Sequence, residues 1–183
     1  MPDYRRNLVA GGSYFFTVNL LDRRSDLLVS AIGVLRDAVR ETRSSRPFHI
    51  DAWVVLPDHL HCMWTLPQGD ADFPLRWRTI KARFSRAVSR PEDRRASLLR
   101  KREAGIWQRR YWEHTIRDDD DFAAHMDYIH FNPVKHGIAE HPAEWPFSSF
   151  RRCAKLGMYP KEWAITEVAL ADAGERPPRA RVG

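Results

Sequence analysis

Apolar residues in this chain fall into short runs whose period alternates between two and about three and a half, so strands and helices alternate. Ser13 to Leu21 (SYFFTVNLL) follows the Gly11-Gly12 break and is rich in β-branched and aromatic residues, which predicts a strand. Asp26 to Arg43 carries Leu28, Ile32, Leu35 and Val39 at helical spacing. Phe48, Ile50, Ala52, Val54 and Leu56 then alternate with His49, Asp51, Trp53 and Val55, a strand with two distinct faces. Pro57-Asp58 makes a turn into a third strand, His59 to Trp64, so the two strands form a hairpin. A helix from Phe73 to Ser89 has Trp77, Ile80, Phe84 and Val88 as its apolar stripe, and a charged connection follows over Arg90 to Gly105. Ile106 to Arg117 reads as a fourth strand with its approach. Asp118 to Asp121 suits the first turn of a third helix, where carboxylates meet the positive end of the dipole; a carboxylate metal site is the weaker reading. That helix runs to about Val134 and is stopped by Pro133 to Gly137. Beyond Trp145 the pattern is irregular, and the Pro- and Arg-rich stretch Gly174 to Gly183 has no fold of its own.

The order strand, helix, strand, strand, helix, strand predicts an α+β protein. Its expected form is a ferredoxin-like βαββαβ antiparallel sheet with an additional C-terminal helix. On that helix Phe122, Met126 and Ile129 form the buried stripe, while Tyr128 shares the opposite side with Asp121, His125, Asn132 and Lys135. A polar face containing one tyrosine is either plain solvent surface or a site, and the helix alone leaves both open.

Size and composition narrow the class. A chain of 183 residues with 43% hydrophobic content can bury a core as one domain, and no apolar run approaches the roughly 18 residues of a membrane span. No signal peptide precedes the first strand, and Cys62 and Cys153 lack CxxC spacing, which together predict a reducing cytoplasm. The net charge of +6 is concentrated: Arg76 to Arg110 holds 13 Lys/Arg against 3 Asp/Glu. A local excess of that size predicts a polyanionic partner, nucleic acid first. Arg76, Arg83 and Arg90, seven residues apart on one helix face, and the N-terminal Arg5 and Arg6 are the expected phosphate contacts, by charge alone.

The sharpest chemistry is His59-Leu60-His61. Residues i and i+2 of a strand share a face, so both imidazoles project side by side while Leu60, Cys62 and Trp64 face a core. Two neutral imidazoles can hold one divalent ion if a third ligand comes from elsewhere, although two ordinary polar strand residues fit the pair equally well. Tyr128 and Asn132 are one turn apart. If their face meets the histidine strand, Asn132 can complete a metal shell and Tyr128 can reach the same phosphate. A phenol attacks poorly unless its anion is stabilised, and a divalent cation neutralises charge developing on a scissile phosphodiester.

At this point the chain resembles a known family, the single-tyrosine HUH transposases of the IS200/IS605 type, and within it the REP-associated tyrosine transposases. The resemblance rests on Val54-Val55-Leu56-Pro57-Asp58-His59-Leu60-His61, Trp107-Gln108-Arg109-Arg110-Tyr111-Trp112-Glu113-His114, the run Tyr128 to Gly137 (YIHFNPVKHG), and Trp145-Pro146-Phe147-Ser148-Ser149-Phe150. Tyr4-Arg5-Arg6 and Gly12 to Thr17 also fit. It covers about residues 4 to 152, implying a transposase domain over 1–152 and a C-terminal extension, partly disordered, over 153–183. The resemblance implies that His59 and His61 bind the metal, Mg²⁺ or Mn²⁺, and that Tyr128 is the nucleophile. Asn132 stands where the pattern has a polar third ligand, with His114 as its competitor. Asp58 and Cys62 depart from the usual asparagine and aliphatic residue there, and neither removes a catalytic group. The implied activity is metal-dependent nicking and strand transfer on single-stranded hairpin DNA, the repetitive extragenic palindromes, through a 5′-phosphotyrosine, by a monomer or homodimer in the bacterial cytoplasm and nucleoid. Lys135, one turn past the tyrosine motif's centre, joins the expected DNA contacts. The alternative is a DNA-binding protein that keeps the fold without cleavage. An RNA-binding module would need exposed aromatics where His59 and His61 stand, and no HExxH or carboxylate cluster supports a hydrolytic metalloenzyme.

Overall fold

The structure is a computed structural model that describes residues 6–88, 105–160 and 163. Its centre is one four-stranded antiparallel sheet in the order β2-β3-β1-β4, built from β1 (Ser13–Asn19), β2 (His49–Val55), β3 (His59–Thr65) and β4 (Trp112–Thr115). That order and the alternation of elements are the expected ferredoxin-like arrangement. Helices α1 (Leu27–Ser30), α2 (Ile32–Ser45) and α3 (Phe73–Val88) cover one face. Helix α4 (Asp119–Lys135) and the short α5 (Phe150–Lys155) cover the other.

Alternation along β1 explains both layers. Tyr14, Phe16 and Val18 enter the core under α2 and α3, with Leu60, Cys62 and Trp64 from β3. Phe15 and Met63 enter the second core, under α4. In β2 the parity changes. The register with β3 shifts between Ile50 and Ala52, so Ile50 lies in the first core while Ala52, Val54 and Leu56 lie in the second. One extra residue at a bulge inverts which side chains face which layer, so the single alternating face expected from Phe48 to Leu56 is split at Asp51.

Three other elements differ from the sequence reading. The first helix is broken at Ala31 (φ −109°, ψ 31°) into α1 and α2. The fourth strand is confined to Trp112–Thr115, its approach reaching β1 and the residues just after it through the Gln108 N–H bond to the Asn19 carbonyl (3.0 Å) and an isolated Leu20–Trp107 bridge. The region after Trp145 forms α5, which runs across residues 152 and 153. Cys153, Tyr159 and Trp163 pack into the second core, so that core continues past the expected domain boundary. Tyr159 is tied there by hydrogen bonds to His130 Nδ1 (3.0 Å) and Asp127 (3.1 Å). Among the described residues no helix is long and apolar enough to cross a membrane.

Candidate active site

His59 and His61 lie on the β3 face that meets α4, and both are buried. Their rings are 5.0 Å apart, centroid to centroid. Each is held by its Nδ1. Thr17 stands directly across the β1–β3 ladder from His61, and its hydroxyl lies 2.8 Å from His61 Nδ1. Asp58, at the turn, accepts from His59 Nδ1 at 2.7 Å and is itself paired with Arg23 at 2.9 Å. With Nδ1 engaged in this way, Nε2 is the nitrogen with a lone pair for a metal. Burial first, then the neighbouring cations, holds the His61 pKa well below the ordinary value. Burial also lowers that of His59, with Asp58 acting in the opposite sense. Both imidazoles are therefore kept neutral, the form that ligates.

Helix α4 brings Tyr128, Asn132 and His136 onto one line, spaced i, i+4 and i+8. The two ends of that line meet the two histidines. The Tyr128 ring is 5.2 Å from His61, and the His136 ring is 5.1 Å from His59. Asn132 lies between them and is wholly buried. Both polar atoms of its amide, and His59 Nε2, are buried and meet no hydrogen-bond partner among the described residues. Buried polar groups of this kind cost free energy unless something binds them. A divalent cation between His59, His61 and the Asn132 oxygen would supply a partner to His59 Nε2 and to that oxygen, so the donor set fits a metal.

Tyr128 is 1% exposed. The helix face that the sequence left open between solvent and site therefore points inward, because both sides of α4 are covered: one by β3, the other by the packing of Met126 and Ile129 in the second core. Phe15 sits under the group, 5.7 Å from both the His61 and Tyr128 rings. Lys135 Nζ lies 4.8 Å from the Tyr128 ring centroid.

The basic residues separate into different places. Arg76 is 2% exposed, its guanidinium bonded to Asp70 at 2.7 Å and to the Pro47 carbonyl at 2.7 Å. Expected as a phosphate contact, it serves the fold instead: it lies next to Trp77 and one turn from Phe73 and Ile80, at the border of the buried stripe. Arg83, partly exposed, is paired with Glu41. Arg6 lies over the Tyr111 ring at 4.8 Å and near Glu113 at 3.5 Å, on the α3 side of the sheet. Arg5 and Arg90 lie outside the described residues. The sequence reading also missed Thr17, Phe15 and His136, and passed over Asp58. Thr17 carries no local signal, since only strand register places it beside His61.

His114 is not beside His59 and His61. It pairs with Asp121 (2.8 Å) and stacks on His125 (4.7 Å), making a separate cluster nearer the start of α4.

No family model matches the chain. A curated relative from Escherichia coli K12, a REP-associated tyrosine transposase, is 48% identical over 176 residues, covering 96% of this chain and 98% of the relative. The chain belongs to the REP-associated tyrosine transposases. A Haemophilus influenzae relative that provisionally carries the same name is 45% identical over 89% of this chain and 93% of its own. The solved structure of a REP-associated tyrosine transposase bound to a REP hairpin matches with a TM-score of 0.83 and 47% identity, over 96% of this chain and 98% of that one. Membership makes the chain a member of an HUH-type enzyme family, and the geometry places the Tyr128 ring beside the His59-Leu60-His61 tripeptide.

Proposed function

We propose that this REP-associated tyrosine transposase nicks and transfers single-stranded hairpin DNA through Tyr128, with His59, His61 and Asn132 holding a divalent cation, Mg²⁺ or Mn²⁺. The observation that carries this is the Tyr128 ring 5.2 Å from His61 within one chain, beside buried polar atoms of His59 and Asn132 that meet no hydrogen-bond partner among the described residues. When bound, the cation supplies Lewis acidity toward the non-bridging oxygens of the scissile phosphate. The side chains do the rest. Thr17 and Asp58 fix the ring orientations, Phe15 supports Tyr128 from the sheet, and Lys135 offsets the charge of the phosphate. The phenol of Tyr128 gives up its proton, its oxygen forms a bond to phosphorus, and the bond from phosphorus to the 3′-oxygen breaks. The departing 3′-oxygen takes up a proton. The product is a 5′-phosphotyrosine and a free 3′-hydroxyl, and because the ester count is unchanged the strand can be rejoined without a nucleotide cofactor. The tyrosine and both histidines come from the same chain, which supports a monomer as the active unit.

The experiment incubates the protein with Mg²⁺ or Mn²⁺ and a labelled single-stranded REP hairpin, then resolves products on a denaturing gel. A covalent protein–DNA band is expected for wild type and not for Tyr128→Phe, with hairpin affinity unchanged. Binding without a band across both metals and several hairpins would favour the alternative, a DNA-binding protein that does not cleave.

A further inference from the structure

We propose a second metal site in this chain, formed by His114, Asp121 and His125, that takes a first-row divalent transition ion such as Zn²⁺ and fastens the start of the tyrosine helix to the sheet edge. Asp121 and His125 are one turn apart on α4, and His114 reaches them from β4. One donor atom from each of the three lies within 4.8 Å of the others. His114 Nε2 is 2.8 Å from Asp121 Oδ2, and His125 Nδ1 is 3.1 Å from Asp121 Oδ1. Ligands about 2.1 Å from an ion in adjacent positions stand about 3 Å from each other, so the two contacts to Asp121 have the spacing of a coordination shell. Two imidazoles and one carboxylate suit zinc or another borderline ion better than Mg²⁺. Asp121 and His125 are buried, His114 is partly open to solvent, and that opening is the route of entry. Binding takes the place of the proton between His114 Nε2 and the Asp121 carboxylate and of the His125 Nδ1 proton, which is donated to the Asp121 backbone carbonyl at 2.8 Å. Arg117 Nε, 3.2 Å from Asp121, is on a side chain 73% exposed and can turn away, while the Arg117 backbone N–H keeps its bond to Asp121 at 3.0 Å.

The cluster is distinct from the His59–His61 pair. Phe15 lies between them, 4.8 Å from the His125 ring and 5.7 Å from His61. On α4 Asp121 lies about two turns and His125 less than one turn before Tyr128, so an ion there ties the tyrosine helix to β4 independently of DNA.

The test is calorimetric titration of the full chain with Zn²⁺. The folded His59→Ala/His61→Ala variant is expected to retain one ion per chain. Adding His114→Phe, which keeps an aromatic ring against Trp112 and His125, should weaken that binding by more than about 100-fold, beyond the usual effect of losing an outer-shell partner. Co²⁺ in the same double variant should give a visible ligand-field band that the same substitution removes. In an otherwise wild-type chain, His114→Phe should lower the stoichiometry from two to one, an arm that does not need the double variant to fold. No Zn²⁺ bound to the folded double variant, or affinity unmoved by His114→Phe in either background, would overturn the proposal. These readouts do not involve DNA, so a failure to cleave hairpins leaves them unaffected.

Discussion

Thr17 and Asp58 hold the two histidines by the nitrogen that faces away from the ligand position. Removing such an outer partner costs roughly 10–100-fold in metal affinity while leaving the ligands in place. Thr17→Val and Asp58→Ala are each expected to weaken Mn²⁺ binding by that factor, measured by titration with far-UV circular dichroism unchanged. Unchanged affinity would mean that packing alone orients the rings. Arg76 leads to the opposite kind of prediction. Its buried guanidinium is paired with Asp70 and three backbone carbonyls, and removing one member of such a network costs on the order of 3–5 kcal/mol. Arg76→Met should lower stability in denaturant by an amount of that order with no change in the salt dependence of hairpin binding, whereas Lys135→Ala should reduce that salt slope by about one. Helical periodicity put Arg76 beside the apolar stripe but could not say whether Asp70 and the Arg46–Pro47 carbonyls would close over it.

Helix α4 is the element that makes the site, and its ends are set by local chemistry. Asp118 is the N-cap, its side chain accepting from the Asp121 N–H at 2.8 Å, and Gly137 leaves the helix at φ +67°. Asp118→Ala is expected to cost about 1 kcal/mol of unfolding free energy; a neutral result would mean that the remaining acidic residues satisfy the first turn. Both ends were legible in the sequence, because caps and left-handed glycines act within a few residues. The inward turn of the Tyr128 face was not. A helix period shows which residues share a side, but whether the polar side meets water or a strand depends on what packs there. The bulge in β2 was hidden for the same reason: alternation assumes constant parity, and the extra residue is seen only against the register of β3.

Across the whole molecule, burial leaves several histidines neutral. His59, His61, His125 and His130 all have lowered pKa values with desolvation as the largest cause, His130 reaching about 3. In the unfolded chain these groups take up protons near pH 6.5, while in the folded chain they resist until lower pH. Below about 6.5 the unfolded state therefore binds more protons, and stability falls as pH falls, by up to about 1.4 kcal/mol per pH unit for each histidine until its folded pKa is reached. Urea midpoints without metal should drop steadily from pH 7 to pH 5, and a flat profile would show that these rings are not held neutral. This chain by itself determined its alternation of strands and helices, its helix ends, its basic character and the motifs that place it in its family, because periodicity, capping and side-chain identity are properties of neighbouring residues. Only the tertiary structure decided that Tyr128 and Asn132 face His59 and His61, that Thr17 and Asp58 hold the rings, that Arg76 is buried, and that His114 joins Asp121 and His125. Each of those depends on contacts between segments distant in sequence, set by strand register and by the layer each helix covers.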